Sequence, residues 1–553
     1  MINVEGKDYT RLIFLVILGV IMFFVYSFLS FSVWLPNYYE WGTVIFSWPD
    51  AMANFSFVNE FIDSGKFFIS FPDNGLISDI VHPRSVNVFD TNLVPVSFLG
   101  LILIFGVFGK IISIYGVMFL TPLMAVTAVF FYYSLIKRVW GEYVAFLSSI
   151  LLFFLGAYWY YSSMVMLHTI LFIGFTLIGF WFLSHPRFTY WRLSLGSLFI
   201  GIALTVRTVE AVWILPICLL LLIIFGGKKW YWKLLVFVIF FSLVFVPVLI
   251  QNNVLYGSYF STGYLNMDND KVSLIERLPA EFELNSSNKV VNFVKSVFVP
   301  FGLHGKQLLK SVYKFFGQYF GPYLLLSFLG LFFFVKNKDF DKKKLFYIGT
   351  TAFVSLWLVF YYGNWVFEDM DVLKYNFISS SYARYWLPVF ILLLPGVGYL
   401  LSLLRKTKIN SAVKNALIFI IMISLIGHSV YFVVFSRNDG LLALKSNIEQ
   451  YYFRYTQTSS LMENNAILIT DKTDKIFFPK YQVVVFLLDY SIFPELYKIE
   501  DKYPIYYLTR MPDKDIEFIN EKKILEYDLV FERAVIIDDE YRLFQLNKQE
   551  SKN

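Results

Sequence analysis

Long apolar segments separated by polar loops run through the chain from residue 12 to residue 434. The first, residues 12–35, follows Lys7 and Arg11 and is long enough to cross the roughly 30 Å hydrocarbon core of a bilayer. No small-residue cleavage site follows it, so we expect an uncleaved membrane helix rather than a signal peptide. Ten more apolar segments bring the prediction to eleven membrane spans. These ten cover residues 112–136, 141–157, 164–184, 191–206, 209–226, 231–250, 317–335, 345–361, 385–404 and 412–434.

Basic residues identify the predicted cytoplasmic loops, because short cytoplasmic loops are enriched in Lys and Arg. With the N-terminus inside, five basic clusters fall on one side, provided that residues 93–109 form an interfacial or re-entrant helix rather than a span. An odd number of spans then places the C-terminal part of the chain outside. The five clusters are Lys137 with Arg138, Arg187 with Arg192, Lys228 with Lys229 and Lys233, residues 336–344, and residues 405–408.

Charge is unevenly distributed along the chain. Only 16% of the 553 residues are charged, against roughly 25% in soluble domains, which excludes an ordinary soluble enzyme. Residues 436–553 nevertheless carry 36 of the 88 charged side chains. We therefore predict a polytopic α-helical membrane domain at 1–435 and a small soluble extracytoplasmic α/β domain at 436–553. The net charge of +6 is spread over loops and predicts no nucleic-acid partner.

Three predicted loops on the outer side are long and polar: residues 36–92, 251–314 and 362–383. Passive cover of the membrane domain is one explanation for any one of them. An active-site chamber shared by the loops explains all three together. The tail, by contrast, has no Gly-rich phosphate loop, no metal cluster and no nucleophile motif, which predicts a lid or recognition module.

The first outer loop contains the most informative segment. Apolar side chains recur at helical spacing between Pro49 and Gly65, which predicts a helix lying along the membrane surface. The start of this helix places the Asp50 carboxylate just outside the membrane. Ser47 or Asp50 can cap the helix, and a purely capping role for Asp50 is the alternative to a catalytic one.

Three predicted elements follow one another here: a membrane helix, a long outer loop that opens with an acidic residue, and an amphipathic helix that ends in Gly. With four short motifs, they resemble the GT-C superfamily of polytopic glycosyltransferases. They are most similar to its protein O-mannosyltransferase and aminoarabinose-transferase-like branch, which uses polyprenyl-phosphate sugars. The resemblance extends over residues 1–434. The motifs are Val81-His82-Pro83-Arg84-Ser85, Leu204-Thr205-Val206-Arg207-Thr208, the segment from Asn253 to Tyr264, and Ala383-Arg384-Tyr385-Trp386-Leu387-Pro388.

Two positions depart from the pattern of that branch. Asp50 is followed by Ala51 where the mannosyltransferases usually have Asp-Glu, and Arg207 is followed by Thr208 rather than Pro. One carboxylate can act as a base but makes a poor metal site by itself. We therefore expect no required cofactor, since a divalent cation is not supported by these residues.

Sugar transfer from a polyprenyl phosphate to a hydroxyl needs a base for the hydroxyl proton and cations that stabilise the departing phosphate. Asp50 is the candidate base. Arg207 and Arg384 are the candidate phosphate ligands, because the planar guanidinium group matches phosphate oxygens. The alternative for Arg207 is an ion pair with Glu210, one helical turn away, and the alternative for Arg384 is an interfacial arginine that extends towards water.

Four further residues complete the predicted substrate-binding set: His82, Arg84, His168 and Tyr385. For His82 and Arg84 in the first outer loop, a surface role is the alternative. A hydrogen-bonded structural histidine is the commoner explanation for His168, which lies near the outer end of an apolar segment. Tyr385 belongs to the last of the four motifs.

The predicted protein is a multi-pass plasma-membrane enzyme with a cytoplasmic N-terminus. It is expected to transfer a sugar, with inversion, from a polyprenyl-phosphate donor to a lipid, glycan or protein acceptor on the outer face. Membrane lipids are its other expected partners. A transporter or flippase for a lipid-linked sugar is the alternative from another class, although polar or broken helices at the bilayer midplane are expected for it. A receptor-like member without activity is the third.

Overall fold

A computed structural model describes residues 2–186, 189–264, 295, 298–366 and 378–549. Parts of the second and third outer loops, and Arg187 of the predicted basic clusters, lie outside the described residues. The chain forms two compact units. The first comprises Met1–Leu29, Phe119–Pro247 and Asp270–Ala443, and the second comprises Ser30–Met118, Val248–Asn269 and Leu444–Asn553.

Helices account for most of the described chain. In chain order they are α1 Ile2–Tyr26, α2 Leu35–Trp41, α3 Pro49–Ser64, α4 Leu99–Val117, α5 Leu120–Trp140, α6 Glu142–Phe154, α7 Gly156–Ser163, α8 His168–Leu183, α9 Tyr190–Val206, α10 Ala211–Phe225, α11 Trp230–Tyr256, α12 Gly305–Val312, α13 Gly321–Lys336, α14 Lys342–Gly363, α15 Ser381–Tyr385, α16 Leu387–Lys406, α17 Ser411–Val434, α18 Leu441–Ser459, α19 Asp474–Phe477, α20 Ile492–Tyr497 and α21 Asp513–Ile519.

Eight helical segments in the described part of the chain are long and apolar enough to cross a membrane, or up to ten if each of two bent helix pairs is one span. The shorter apolar helices α8 and α9 coincide with two further predicted spans. The predicted polytopic helical class is therefore confirmed, whereas the predicted number of eleven is not. Three predicted spans are not single straight helices. Residues 112–136 are interrupted because Ser113 has a left-handed φ of 64° and α5 begins only at Leu120. Residues 141–157 and 317–335 each cross a break at which two helices bend, by 53° and 87° respectively.

Small residues let helices of the first unit approach closely. A Cβ on Gly330 of α13 would lie 2.0 Å from the Gly396 carbonyl oxygen of α16. A Cβ on Gly196 of α9 would lie 2.7 Å from a Leu183 methyl carbon at the end of α8. Both distances are shorter than atoms tolerate, so glycine allows these backbones to touch, as is common between membrane helices.

Two sheets organise the second unit. β1 (Ile69–Ser70), β3 (Asn92–Pro95) and β2 (Val86–Phe89) form a small antiparallel sheet. The larger sheet has the order β5-β4-β6-β8-β7, in which β5, β4 and β6 are parallel and β8 pairs antiparallel with both β6 and β7. Its strands are β4 Ile467–Thr470, β5 Gln482–Val485, β6 Ile505–Thr509, β7 Leu529–Ile536 and β8 Arg542–Lys548.

The first outer loop and the tail share one hydrophobic core. Phe71, Ile77 and Val81 of the loop are buried in the same cluster as residues of the large sheet, such as Ile469 and Tyr507. Val81 also forms an isolated β-bridge with Val484 at the edge of that sheet. The α/β character expected for the tail is confirmed by the sheet and its helices, while a domain boundary at residue 435 stays a prediction.

Candidate functional site

Asp50 lies in the first turn of α3, where the sequence predicts it. The helix begins at Pro49 because proline fits the first turn, and it ends at Gly65, which has the left-handed φ of 77° that glycine tolerates. Trp48 occupies the N-cap position, and its side chain forms no capping hydrogen bond. Neither Ser47 nor Asp50 is therefore the N-cap residue, because the helix begins at Pro49.

The Asp50 carboxylate is half-buried and accepts a hydrogen bond of 2.6 Å from the Ser85 hydroxyl. Ser85 presents this hydroxyl from a left-handed backbone conformation, with φ of 64°, just before strand β2. A carboxylate oriented in this way can accept a proton from a hydroxyl group that binds next to it.

Two basic residues hold the two chain segments next to Asp50, one at Ser85 and the other at Ser47. Arg84, adjacent to Ser85, binds the fully buried Asp474 carboxylate through its side chain at 2.6 Å and 3.0 Å and through its backbone N–H at 2.9 Å. Lys475 donates a 2.5 Å hydrogen bond to the Ser47 carbonyl oxygen. The start of the tail helix α19 thus holds the loop that carries Asp50, and the Arg84 guanidinium group takes part in that contact.

His82 lies on the same loop, beside the large sheet. Its Nδ1 is 3.1 Å from the Pro83 carbonyl oxygen, and its backbone forms a bridge with Val484. The ring is partly exposed. Asp50, Ser85, Arg84 and His82 are therefore all brought together within the second unit by the docking of this loop.

In the first unit, Arg207 is the C-cap residue directly after helix α9 and is only 7% exposed. Its Nη2 forms an ion pair of 2.7 Å with Glu210 and donates to the Tyr362 hydroxyl at 3.2 Å. Glu210 in turn accepts hydrogen bonds from Tyr362 at 3.0 Å and from the Trp213 indole at 2.5 Å. The ion pair weighed from the sequence as the alternative for Arg207 is thus present.

Tyr385 joins Arg207 to Arg384. The Arg207 guanidinium carbon lies 4.8 Å from the centre of the Tyr385 ring, and that of Arg384 lies 4.7 Å from it. Arg384 also donates a 2.8 Å hydrogen bond to the Tyr385 hydroxyl. Tyr362 stacks on the same ring, with centroids 4.3 Å apart. Two arginines and two tyrosines therefore form one cluster, whose charge is partly balanced by Glu210.

His168 begins helix α8 and is half-buried. The residues immediately before it are strained, since Met166 has a left-handed φ of 66°. Phe172, one turn further along α8, lies 5.5 Å from the Arg207 guanidinium group. The predicted substrate role of His168 stays a prediction.

Three residues important to these clusters were not predicted from the sequence: Tyr362, Trp213 and Asp474. Tyr362 occurs in an aromatic-rich segment and Trp213 in an aliphatic one, and in neither does spacing distinguish the residue from lipid-facing neighbours. Asp474 is far from Arg84 in the sequence, and only the large sheet brings the two together. Within the described residues, no three His, Cys, Asp or Glu side chains are close enough to hold a metal ion.

No protein-family model matches this sequence, and no curated protein matches it either. Solved structures do share its fold. ArnT from Cupriavidus metallidurans, crystallised with undecaprenyl phosphate, is 10% identical and superposes with a TM-score of 0.55 over 97% of both chains. The apo oligosaccharyltransferase of Archaeoglobus fulgidus is 12% identical, with a TM-score of 0.55 over 92% of this chain and 70% of its own.

The class of the molecule follows from these likenesses together with its apolar helices: it is an integral membrane protein with a GT-C-like fold. A third similar structure is the A. fulgidus oligosaccharyltransferase AglB in complex with an inhibitory peptide and a dolichol-phosphate, at 10% identity and a TM-score of 0.51. The resemblance to the GT-C superfamily predicted from the sequence is confirmed at the level of the fold.

Proposed function

We propose that the protein is a membrane glycosyltransferase that transfers a sugar from a polyprenyl-phosphate donor to a hydroxyl-bearing acceptor. The observation that carries this proposal is the fold shared over 97% of both chains with an ArnT structure that contains undecaprenyl phosphate. The AglB structure with a dolichol-phosphate and a peptide supports a donor of the same chemical class.

Asp50 is the proposed general base. A base must be ionised and must reach the acceptor hydroxyl, and Asp50 is half-buried at the start of α3 with one oxygen oriented by Ser85. As the hydroxyl oxygen attacks the anomeric carbon, its proton passes to Asp50 and the bond from that carbon to the phosphate oxygen breaks. A single in-line displacement of this kind inverts the anomeric configuration.

Arg384 and Arg207 are the proposed ligands of the departing phosphate. Charge-assisted hydrogen bonds from guanidinium groups to phosphate oxygens stabilise the negative charge that grows as the bond breaks. Arg207 forms an ion pair with Glu210 at 2.7 Å, and Arg384 donates a hydrogen bond to the Tyr385 hydroxyl at 2.8 Å. Tyr385, which contacts both guanidinium groups, is proposed to hold them in place.

The acceptor is proposed to be a lipid, glycan or protein hydroxyl on the outer face of the plasma membrane. This orientation rests on the basic loops, which favour a cytoplasmic N-terminus. His82 and His168 remain proposed substrate contacts. Arg84 is proposed to act through the position of Ser85, since its side chain binds Asp474.

Mass spectrometry of surface glycans and lipid-linked sugars, from cells with and without the protein, tests this function. We expect one polyprenyl-phosphate sugar to accumulate and one glycosylated product to disappear when the protein is absent. A flippase would instead change translocation of a lipid-linked sugar in proteoliposomes. Unchanged glycans and donors, together with protein-dependent translocation, would contradict the proposal.

A further inference from the structure

A cavity of about 430 Å³ lies within the first unit, between helices α5, α8, α10, α14 and α16. Its wall along α10 includes residues from Trp213 to Phe225. With a helix rise of 1.5 Å per residue, this wall is about 18 Å long. Half of a bilayer's hydrocarbon core is about 15 Å thick, so the cavity matches the depth of one lipid leaflet.

The charged residues that line the cavity are at one end of it. Phe172 and Trp213, near the starts of α8 and α10, form the end close to Arg207. Arg138, His185 and Lys343, at the opposite ends of their helices, form the other. Neither Arg207 nor Arg384 lines the cavity. A ligand with an apolar chain and a negative head would therefore place its head away from the Arg207 cluster.

The basic residues at this end are not neutralised by acids. Arg138 donates to the Trp181 carbonyl oxygen at 2.5 Å and to the Ser184 hydroxyl at 3.2 Å, and Arg192 donates to the His185 ring. In the part of the chain that the structure describes, no carboxylate pairs with Arg138, Arg192 or Lys343. The Arg192 Nε is buried without a hydrogen-bond partner.

We propose that this cavity binds one acyl chain of an anionic phospholipid, with the lipid phosphate at Arg138 and Lys343, which line its basic end, and near Arg192, which contacts the lining residue His185. Apolar walls favour the chain because its burial removes apolar surface from water. The phosphate supplies a charge-assisted acceptor to guanidinium and ammonium groups that, within the described residues, no carboxylate pairs with. The site is separate from the proposed sugar transfer, whose phosphate ligands lie near the other end of the same helices.

Native mass spectrometry of the full-length protein in detergent tests the proposal. The probes are phosphatidylglycerol and phosphatidylcholine with identical acyl chains, added in turn. We expect one phosphatidylglycerol to remain bound per chain, with at least tenfold higher occupancy than phosphatidylcholine. Excess undecaprenyl phosphate should leave that adduct in place, because its proposed phosphate site is elsewhere.

Two substitutions address the cavity and its charged end. Thr176→Phe fills the cavity where a buried hydroxyl has no hydrogen-bond partner, and Lys343→Gln removes one cation. Each should lower phosphatidylglycerol occupancy at least fivefold. Lys344→Gln is the matched control, because Lys344 is the next residue but pairs with Asp339 at 2.8 Å. It should leave occupancy unchanged.

Equal retention of the two phospholipids by the unaltered protein would overturn the proposal without any variant. Displacement of phosphatidylglycerol by undecaprenyl phosphate would also overturn it and would assign the cavity to the polyprenyl chain. Folded Thr176→Phe protein with undiminished occupancy would place the lipid elsewhere. Because no sugar transfer is measured, these results are independent of whether the proposed glycosyltransferase activity is found.

Discussion

The setting of Asp50 depends on its immediate neighbours. Ser85 orients one carboxylate oxygen at 2.6 Å, and α3 begins one residue before Asp50. Helix α3 does not depend on Asp50 as its N-cap, since Trp48 occupies that position. Substitution of Asp50 should therefore affect chemistry more than folding.

Ser85→Gly should lower the turnover number about tenfold, the equivalent of one lost hydrogen bond to a charged group of about 1.4 kcal/mol. Glycine accepts the left-handed φ of 64° at this position, so the loop should keep its shape. Sugar-transfer rates in membranes, with protein levels matched by immunoblot, measure the effect. An unchanged rate would show that the hydroxyl does not orient the base.

Arg384→Lys retains the charge but loses the planar fork that matches phosphate. We expect sugar transfer to fall by about 10–100-fold, which corresponds to about 1.4–2.7 kcal/mol of lost transition-state stabilisation. Arg405→Lys is the control, because Arg405 lies at the far end of α16, over the Tyr143 ring. Equal activities of the two variants would remove Arg384 from the phosphate site.

We expect the buried carboxyl of Asp471 to make the thermal stability of the protein depend on pH. Burial raises the pKa of this carboxyl above its ordinary value of 3.8, even though Tyr507 and Thr509 donate hydrogen bonds to it. Near neutral pH, ionisation of this carboxyl lowers the free energy of unfolding, because its pKa is higher in the folded than in the unfolded state. As the pH falls through the folded-state pKa, the carboxyl becomes protonated and this loss of stability disappears. The unaltered protein should therefore gain thermal stability relative to Asp471→Asn between pH 7 and pH 4.

Unfolding midpoints of the two proteins across this pH range measure that difference. Asp539→Asn, at an exposed position of the same region, is the matched control and should show no such trend. A difference that stays constant, or that changes in the opposite direction, would contradict the role given to burial.

At the scale of elements, helix contacts in the first unit depend on glycine. Gly330→Ala should destabilise the protein by about 2 kcal/mol, because the new methyl group would meet the Gly396 backbone and push α13 away from α16. Gly349→Ala on α14 is the control, since nothing lies within 4 Å of its added Cβ. It should stabilise its helix by up to about 1 kcal/mol.

Thermal unfolding in one detergent compares these two variants. A lower midpoint for Gly330→Ala with an equal or higher one for Gly349→Ala is the expected result. Equal unfolding midpoints for the two variants would mean that α13 and α16 can move apart without loss of stability.

Elements were predicted from the sequence with uneven success, and the reasons are physical. Apolar length identifies membrane helices well, because a bilayer requires about 20 apolar residues per span. The same criterion missed the break at Ser113, since a left-handed residue leaves no mark on hydropathy. The helix from Pro49 to Gly65 was predicted correctly because proline and glycine have fixed preferences at helix ends.

At the scale of the whole molecule, long-range contacts determine the partners of residues whose roles the sequence alone could not decide. Arg84 was predicted to bind substrate or to lie on the surface, yet it binds buried Asp474, which is 390 residues away in the chain. Arg207 and Arg384 were predicted as separate arginines, and Tyr385 brings them into one cluster. The fold class, in contrast, could be predicted because several weak motifs occurred in the order typical of one superfamily.

The most direct test of the account is the activity of Asp50→Asn compared with Asp63→Asn. Asp63 lies in the last turn of the same helix, where it is exposed and bonds to Asn59 at 3.0 Å. Loss of a general base should reduce transfer by about 10²–10⁴-fold. Mass spectrometry of cells that express only Asp50→Asn should show an accumulated polyprenyl-phosphate sugar and a missing product, while Asp63→Asn restores both. Normal products in cells with stable Asp50→Asn protein would contradict the account.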